Sequence, residues 1–334
     1  MDPVPALVTG ANGFVGCHLV RALIAQGAPV RAFVRKGADL RALEGLACEI
    51  ALGDLRDRES IDRAVRGCSV VYHVAADYRL WLVDEAPMYA TNVEGTRNVL
   101  AAARAAKVER VVYTSTVGTL GIASDGIGRE STLVTLNDMV GPYKRSKFLA
   151  EREALRAERE GLPVVIVNPS TPVGPCDYKP TPTGRIIVDF LNNRMPAYVE
   201  TGLNLACVED IASGHILAAE RGRVGEKYIL GGENLTLEQM LRRLAALSGG
   251  RAPRVKVPYA AAYLFALGAE AVARTITHRP PRASLTEVRM ARKKMFFAIA
   301  KARAELGYDP RPVDEGLMRA IEFFRGAGMA RAAA

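Results

Sequence analysis

A tyrosine and a lysine four residues apart could together move a proton. They are Tyr143 and Lys147 of the string YKRSK, and a spacing of four places both side chains on one face of a helix. A free phenol has a pKa near ~10 and is a poor proton shuttle at neutral pH. A nearby ammonium favours the phenolate and lowers that pKa, so the pair predicts a tyrosine that acts as general acid or base.

Hydroxyl side chains end an apolar run about thirty residues before this pair. The run VVY leads directly into Thr114, Ser115 and Thr116. Hydroxyls at the end of a strand could orient a carbonyl oxygen beside the tyrosine. A YxxxK string alone is common on protein surfaces, but these hydroxyls and a glycine-rich turn near the N-terminus favour an active site.

That glycine-rich turn follows the first apolar run, Ala6–Thr9, and precedes a helical pattern. Glycines in the arrangement GxxGxxG permit a tight turn, a close backbone approach to a pyrophosphate and a helix N-terminus directed at its charge. A strand before the turn and a helix after it are the context that supports dinucleotide binding over a purely structural turn. The candidate cofactor-binding residues here are Gly10, Asn12, Gly13, Phe14, Val15 and Gly16.

The second strand-like run ends in two cations where an acid often binds the adenosine ribose. The run continues into Arg35 and Lys36, and no carboxylate follows until Asp39. Cations at this point favour the 2′-phosphate of NADP, with NAD as the alternative cofactor. A solvated surface pair would look the same in sequence, so that reading stays open.

The third and fourth strand-like runs end in further candidate cofactor contacts. Asp54 could accept a hydrogen bond from the adenine amino group, and Leu55 could pack on the ring; a helix N-cap, the alternative for an Asp here, fits Asp57 better. Ala75 and Ala76 are small enough to let a cofactor lie close to the sheet edge. His73, just before them, is predicted to be an ordinary strand histidine.

These residues need a scaffold, and short β-like runs alternate with helical patterns through the first half of the chain. This alternation predicts βαβ units and a parallel, doubly wound sheet of the Rossmann type, covered by helices on both faces. After Pro169 prolines crowd the chain and helices dominate from Asn234, with Thr236 and Gln239 as a capping box. We expect a dinucleotide-binding domain at 1–170 plus about 205–232. A smaller, mostly helical substrate domain would span about 171–204 plus 233–328.

Composition limits the function classes further. The chain has 334 residues, is 49% hydrophobic and carries a formal net charge of +9, which suits anionic ligands. Nucleic acid is disfavoured because the basic residues form no arginine-rich tract. Five widely spaced cysteines without a CxxC string predict neither a disulfide framework nor a zinc site, so no metal is expected. The first strand begins too early to leave room for a signal peptide, and we expect a cytoplasmic protein.

One apolar run needs separate mention. Residues 260–268 are apolar throughout, but Glu270 and Arg274 follow, so the run is too short for a membrane span and predicts a buried helix. Peripheral contact of residues 259–275 with a membrane is the less favoured alternative.

Longer strings extend the motifs: HVAADYRLW at 73–81, YKRSKFLAE at 143–151, NPSTPVGP at 168–175, TPTGRIIVDF at 181–190 and YILGGENLT at 228–236. With these strings the chain resembles the extended short-chain dehydrogenase/reductase family over nearly its whole length. Within that family it looks most like the hopanoid-associated sugar epimerases, a group similar to dihydroflavonol 4-reductases.

The resemblance implies roles for individual residues. Tyr143 would give or take the proton at the substrate oxygen, and Lys147 would hold the nicotinamide ribose and tune the tyrosine. The catalytic serine of the family falls at Thr116, with Ser115 just before it; threonine departs from the pattern of close relatives but keeps the hydroxyl. The further cofactor contacts expected are Thr114, Pro169 and Thr171.

Few residues of the sequence can be assigned to substrate binding. Tyr78, Arg79 and Trp81 follow the fourth strand at the edge where open α/β sheets bind ligands, and an arginine between aromatics could hold a sugar ring or a phosphate. A packed loop is the alternative reading.

Three functions follow from these observations. The first is an NAD(P)-dependent oxidoreductase or epimerase acting on a carbonyl or hydroxyl carbon of a sugar-like or hopanoid-linked polyol. The second is a ketone or aldehyde reductase of the dihydroflavonol-reductase type with exchangeable NADPH. The third, a non-catalytic NADP-binding redox sensor, is disfavoured because both Tyr143 and Lys147 are present. A homodimer fits the family, although the sequence identifies no interface.

Overall fold

Short runs of valine, isoleucine and other apolar residues form the strands of the main sheet. The computed structural model describes residues 4–281 and 283–331. The strands in chain order are β1 (Ala6–Thr9), β2 (Val30–Val34), β3 (Glu49–Leu52), β4 (Val70–His73), β5 (Arg110–Thr114), β6 (Val164–Pro169), β7 (Thr171–Val173), β8 (Ala197–Val199), β9 (Gly202–Cys207), β10 (Lys227–Leu230), β11 (Glu233–Thr236) and β12 (Val255–Val257). Seven of them form one parallel sheet in the order β10-β6-β5-β4-β1-β2-β3.

Helices cover both faces of this sheet. The α-helices of the described residues, in chain order, are α1 (Phe14–Ala25), α2 (Arg58–Val65), α3 (Ala86–Tyr89), α4 (Gly95–Ala105), α5 (Gly141–Arg159), α6 (Pro182–Leu191), α7 (Val208–Arg221), α8 (Leu237–Ser248), α9 (Tyr259–Val272), α10 (Leu285–Ala291), α11 (Ala300–Leu306) and α12 (Val313–Gly326). Residues of α1 and α7 pack in the core on one face, and residues of α2, α4 and α5 pack in the core on the other. The predicted doubly wound Rossmann-type sheet is therefore confirmed.

The strand order reverses beside β1, the first strand of the chain. β1 pairs with β2 on one side and with β4 on the other. The chain adds β2 and β3 on the first side of β1, then crosses over and adds β4, β5 and β6 on the second side. In open α/β sheets ligands bind in the crevice at the carboxyl ends of the strands at such a point. The turn after β1 and the segment after β4 both lie there.

The smaller part of the molecule contains more strand than the sequence predicts. β7, β9 and β11 form a three-stranded sheet, and β8 pairs with β12. The core of this part is built from residues of α6, α8 and α12 together with these strands. The sequence does not predict these short strands, because runs of three residues such as AYV and VKV are too short to show the alternation of apolar and polar residues that is typical of a strand. The boundaries of the two domains stay a prediction.

The predicted buried helix at residues 260–268 forms, but the expectation that it is buried is wrong. In α9 only Ala266 and Glu270 are buried, whereas Leu264 and Phe265 are 67% and 59% exposed. A helix that is apolar on all sides is usually buried on all sides. Here its main helical neighbour among the described residues is α10, which covers one side only. No helix in the described ranges is both long and apolar enough to cross a bilayer.

Both predicted caps are confirmed. The Asp57 carboxylate accepts hydrogen bonds from the backbone N–H groups of Glu59 and Ser60 at the start of α2. Thr236 and Gln239 form a reciprocal capping box at the start of α8. Such caps satisfy backbone donors that the helix itself cannot pair.

Replacing the α2 cap tests its contribution. Asp57→Ala leaves two helix N–H groups without their acceptor, and we expect the free energy of unfolding to fall by about 1 kcal/mol. Asp62→Ala on the same helix removes only a partly exposed pair with Arg58 and should cost a few tenths of that, on the order of 0.3 kcal/mol. Urea unfolding of the two variants measures the difference; equal losses would contradict a specific capping role.

Candidate active site

Helix α5 brings the tyrosine and the lysine to the carboxyl edge of the main sheet. The helix begins at Gly141, whose φ of +80° suits glycine, and Pro142 follows within its first turn, where proline is favoured. Tyr143 and Lys147 lie one turn apart on the side that meets β5. The predicted shared helix face is therefore confirmed.

Lys147 is buried, and its ammonium has two partners on β5. Its Nζ donates to the Thr114 carbonyl at 2.6 Å and lies 4.6 Å from the centre of the Tyr113 ring. Burial lowers the pKa of Lys147 to about 7, and the nearby Glu151 carboxylate opposes that fall. A buried cation at this sheet edge is available for a polar ligand group.

The pKa of Tyr143 differs from the sequence expectation. Burial raises it to about 12, and the nearby Thr116 hydroxyl partly offsets the rise. The expected lowering by Lys147 is not found, because that ammonium is directed to the Thr114 carbonyl instead. The phenol therefore stays protonated at neutral pH, ready to donate a proton.

The two hydroxyl residues after β5 point in different directions. Thr116 faces the tyrosine, and its Oγ1 also accepts from the Gly118 N–H at 3.1 Å. The structure does not bring Ser115 to the tyrosine; its buried hydroxyl donates to Glu151. Successive residues of an extended backbone project to opposite sides, and that parity separates the pair. Of the two candidates, only Thr116 is placed to touch a substrate oxygen.

Glu151 is a site residue that the sequence analysis missed. It is buried, forms an ion pair with Lys227 of β10, and accepts from Thr119 Oγ1 at 2.8 Å and Asn168 Nδ2 at 3.2 Å. It lies four residues after Lys147, so the spacing that identified the first pair would also have identified this third member. The carboxylate links α5 to β6 and β10 behind the lysine.

Asn92 was also missed, since nothing in its local pattern separates it from other helix residues. It lies in a π-helical segment, Ala90–Glu94, between α3 and α4. Its side chain accepts from the Asp77 N–H at 2.7 Å and donates to the Asp77 carbonyl and to Ser146 Oγ. Asn92 thus fixes the start of the loop that carries the candidate substrate residues.

His73 has the structural role predicted for it. Its Nδ1 lies 2.8 Å from Thr9 Oγ1, and its Nε2 lies 3.0 Å from Thr96 Oγ1. Burial, with a smaller contribution from Lys147, lowers its pKa to about 3, so the ring is neutral. It joins β1, β4 and α4 and moves no proton at neutral pH.

The glycine-rich turn forms a cradle that side chains would fill. Gly10 has a φ of +66°, and a Cβ there would lie 2.7 Å from Ala75 Cα. A Cβ on Gly16 would lie 2.1 Å from the Gly10 carbonyl oxygen. Gly13 caps α1 without a side-chain hydrogen bond, which leaves the first-turn N–H groups for an anion. This arrangement fits a dinucleotide pyrophosphate.

The other residues of this turn take supporting positions. Asn12 Nδ2 donates to the Asp39 carbonyl at 3.1 Å, which ties the turn to the segment after β2. Phe14 opens α1 and Val15 packs against the core. Their contacts with a cofactor stay predictions.

A cleft of about 470 Å³ opens at the carboxyl ends of β2 and β3. It is lined by Arg35, Lys36, Gly37, Ala38, Leu52, Gly53 and Asp54. Two nearby carboxylates already have partners: Asp39 is bound by Arg41, and Asp54 is bound by Arg56. Hydrogen bonds from these arginines hold the pKa of both carboxyl groups below the usual range. Neither Arg35 nor Lys36 forms an ion pair with any described residue.

Three of the candidate cofactor contacts have partners within the protein. Leu55 is buried against Gly95, and its predicted contact with an adenine ring stays a prediction. Asp54 lines the cleft, and its oxygens accept three hydrogen bonds from Arg56, so its predicted contact with the adenine amino group stays a prediction. Thr114 contributes its carbonyl to Lys147 while its hydroxyl lies 3.0 Å from His215 Nε2.

The remaining candidate contacts lie at the sheet edge as expected. Ala75, whose N–H donates to Thr9 Oγ1, approaches Gly10 closely, and Ala76 follows it. Pro169 ends β6 and is buried, and Thr171 begins β7 and is half-buried. Their positions are compatible with cofactor binding, which stays a prediction for each.

The three candidate substrate residues have different surroundings. Tyr78 is close enough to Tyr143 to raise the pKa of that phenol slightly, and its own hydroxyl donates to the Lys179 carbonyl. Arg79 forms an ion pair with Asp77, so part of its guanidinium is already engaged. Trp81 is half-buried, and its indole N–H finds no acceptor within the described part of the chain.

Comparisons with known proteins agree with this architecture. A family model, the NAD dependent epimerase/dehydratase family, matches residues 6–231. A protein of Synechocystis sp. provisionally named dihydroflavonol 4-reductase is 44% identical over 326 residues, covering 96% of this chain and 94% of that protein. Sterol demethylase protein B of Methylococcus capsulatus is 38% identical over 324 residues, covering 97% and 99%. The crystal structure of a nucleoside-diphosphate-sugar epimerase from Pseudomonas aeruginosa has a TM-score of 0.82 and 30% identity, covering 98% of this chain and 99% of that one.

The ion pair behind the lysine can be tested by neutralising its acid. Glu151→Gln leaves the partly buried Lys227 without its partner, and we expect a loss of about 3 kcal/mol in the free energy of unfolding. Glu153→Gln on the same helix breaks a more exposed pair with Arg97 and should cost less than about 1 kcal/mol. Urea unfolding at neutral pH compares the two; a Glu151→Gln loss no greater than that of Glu153→Gln would contradict the structural role.

Proposed function

The chain belongs to the NAD dependent epimerase/dehydratase family and is an NAD(P)-dependent enzyme of the extended short-chain dehydrogenase/reductase type, and we propose that it catalyses a net reduction with exchangeable NADPH. The cleft at the ends of β2 and β3 carries this proposal. Its two unpaired cations, Arg35 and Lys36, favour the 2′-phosphate that distinguishes NADP from NAD. Asp39, the nearest following acid, is already bound by Arg41 and does not compete.

The properties of Tyr143 also support reduction of a carbonyl group. A bound nicotinamide cofactor supplies the hydride that reaches the carbonyl carbon of the substrate. Tyr143 Oη donates a proton to the carbonyl oxygen, which is the role open to a phenol whose pKa is about 12. Thr116 Oγ1 donates a hydrogen bond to the same oxygen and holds it beside the phenol. Lys147 contributes positive charge to the site, which stabilises the negative charge that develops there.

The substrate we propose is a sugar-like or lipid-linked polyol with a carbonyl group. Support comes from the resemblance to hopanoid-associated sugar epimerases and from the exposed aromatic ring of Tyr78, which lies next to Tyr143. An aromatic face beside the reacting group suits a ring-shaped substrate.

Epimerisation is the second candidate, and one observation favours it. The nucleoside-diphosphate-sugar epimerase from Pseudomonas aeruginosa shares 30% identity and the whole fold with this chain. An epimerase returns the hydride to the opposite face of the same carbon, so it must retain its cofactor through the cycle.

The nucleotide content of the purified protein distinguishes the two candidates. Freshly purified protein is denatured, and any released nucleotide is identified and counted by mass spectrometry. Net reduction predicts little bound nucleotide and reversible binding of added NADPH. Near-stoichiometric NAD or NADP would favour epimerisation, and failure to bind any dinucleotide would contradict both.

The role of the tyrosine gives a second test. Tyr143→Phe removes the proton donor alone, so kcat should fall by on the order of 10²–10⁴-fold while the Kd for NADPH stays nearly unchanged. Tyr89→Phe, a tyrosine half-buried on α3, is the matched control and should retain the wild-type rate. Steady-state kinetics and cofactor fluorescence measure the two quantities; wild-type turnover in Tyr143→Phe would disprove the assignment.

The preference for NADPH over NADH provides a third test. Arg35→Asp places a negative charge where the 2′-phosphate would bind, and the ratio of kcat/KM for NADPH over NADH should fall by roughly 10- to 100-fold. Arg66→Asp, an exposed residue just after α2, controls for the change in net charge. An unchanged ratio in Arg35→Asp would mean that Arg35 does not face the 2′-phosphate.

A further inference from the structure

Helix α9 exposes large apolar side chains that nothing in the described structure covers. Leu264, Phe265 and Ile276 are 67%, 59% and 71% exposed, and Leu267 and Val272 are about half exposed. At 3.6 residues per turn these five residues fall within one half of the helix circumference. We refer to them as the apolar face of α9. The buried residues Ala266 and Glu270 lie on the opposite half.

The apolar face is continuous rather than scattered. Its helix extends through a π-helical segment, Ala273–Thr277, which gives about 19 helical residues and a length of roughly 28 Å. Small residues, among them Gly268, Ala271 and Thr275, fill the gaps between the large ones, and the Thr275 hydroxyl donates to the Ala271 carbonyl of the helix. Arg274 lies just beyond one edge of this half and is paired with Glu270, so no charged side chain of residues 259–277 lies on the apolar face itself. An apolar patch of this kind marks an interaction surface.

Positive charge is concentrated in the same part of the chain. Residues 251–300 contain ten Lys and Arg against two Asp and Glu, whereas the rest of the chain contains 35 against 34. Almost the whole net charge of +9 therefore belongs to this segment. The two acids, Glu270 and Glu287, are both engaged, one with Arg274 and the other in the cap of α10.

The free cations lie close to α9. Arg289 on α10 donates to the Tyr263 hydroxyl of α9 at 3.5 Å, and Arg279 follows directly after the helix. Arg292 and Lys293 follow α10, and all four side chains are exposed. None of the four forms an ion pair with another residue of the ranges 4–281 and 283–331.

We propose that the apolar face of α9 docks on the surface of an anionic lipid bilayer. A helix with one apolar side and neighbouring cations lies in the plane of the membrane interface, with its apolar residues among the acyl chains and its cations at the lipid phosphates. A second copy of this chain fits less well. A two-fold interface would bring the same unpaired cations against each other, without compensating acids.

The docking element is attached to the start of the catalytic helix. Leu285 of α10 donates its N–H to Glu270 of α9 at 3.0 Å, which joins the two helices. Thr286 lies against Gly141, so closely that a Cβ there would come within 2.6 Å of the threonine methyl. Gly141 lies two residues before Tyr143. A docked molecule would therefore hold its active-site end next to the bilayer, whatever the substrate is.

Vesicle binding tests the proposal. Full-length protein is mixed with vesicles of phosphatidylcholine alone or with phosphatidylglycerol added, and the bound fraction is measured by co-sedimentation. We expect binding to the mixed vesicles and much weaker binding to phosphatidylcholine. Raising the salt from about 0.1 M to about 1 M should weaken the preference, because the screening length falls from roughly 10 Å to 3 Å.

Variants assign the binding to this surface. Leu264→Glu/Phe265→Glu should lower the partition coefficient at least about tenfold, since two large apolar side chains no longer enter the bilayer. Leu133→Glu, at a residue that is 95% exposed and far from α9 in sequence, is the matched control and should bind as the wild type does. Arg279→Gln/Arg292→Gln should lower the preference for phosphatidylglycerol, because two of the four free cations are gone. Unchanged thermal midpoints and NADPH affinity would show that all variants are folded.

Three results would overturn the proposal. The first is a wild type that does not bind the mixed vesicles, and the second is Leu264→Glu/Phe265→Glu protein that binds them as well as the wild type. The third is a wild-type dimer that becomes monomeric in this double variant without any vesicle binding, which would make the face a subunit interface. Size-exclusion chromatography with light scattering measures the molar mass of each protein and identifies that third case.

Discussion

A buried ammonium at the carboxyl edge of the sheet sets the geometry around it. Lys147 has lost its water, and the protein compensates with the Thr114 carbonyl, the face of the Tyr113 ring and the Glu151 carboxylate. Two of these partners lie on β5 and the third lies on α5 with the lysine, so the requirement fixes the distance between α5 and β5. Glu151 extends the constraint through Lys227 to β10, at the edge of the sheet. Tyr143, one turn earlier on the same helix, is positioned as a consequence.

Ion pairing decides which charges remain available to ligands. Around the cleft, Arg41 and Arg56 occupy the two carboxylates, and the cations Arg35 and Lys36 are left over. Among the candidate substrate residues, the cation Arg79 is itself in an ion pair, with Asp77. A pair formed between residues two positions apart costs little chain entropy, and such pairs recur at the ends of β2, β3 and β4. The electrostatic character of the site thus comes from short-range pairing on adjacent loops.

Much of the fold could be predicted from the sequence, because its signals are local. Valine-rich runs, the glycine spacing and the YxxxK string each depend on residues close together in the chain. The errors share a different origin. The direction of Ser115 depends on its hydrogen bond to Glu151 on α5, and the exposure of α9 depends on what packs against it. Each of these is a contact with a distant residue, or the lack of one among the described residues, and no local pattern reports it.

The uneven distribution of charge also bears on how the protein behaves in concentrated solution. Outside residues 251–300 the numbers of cations and anions nearly cancel, so mutual repulsion between molecules comes almost entirely from this one segment. A polyanion that binds this segment would therefore bring the net charge of the whole protein close to zero, where proteins associate most readily. Colloidal stability therefore depends on α9, α10 and their flanking cations, although the catalytic machinery lies elsewhere in the fold.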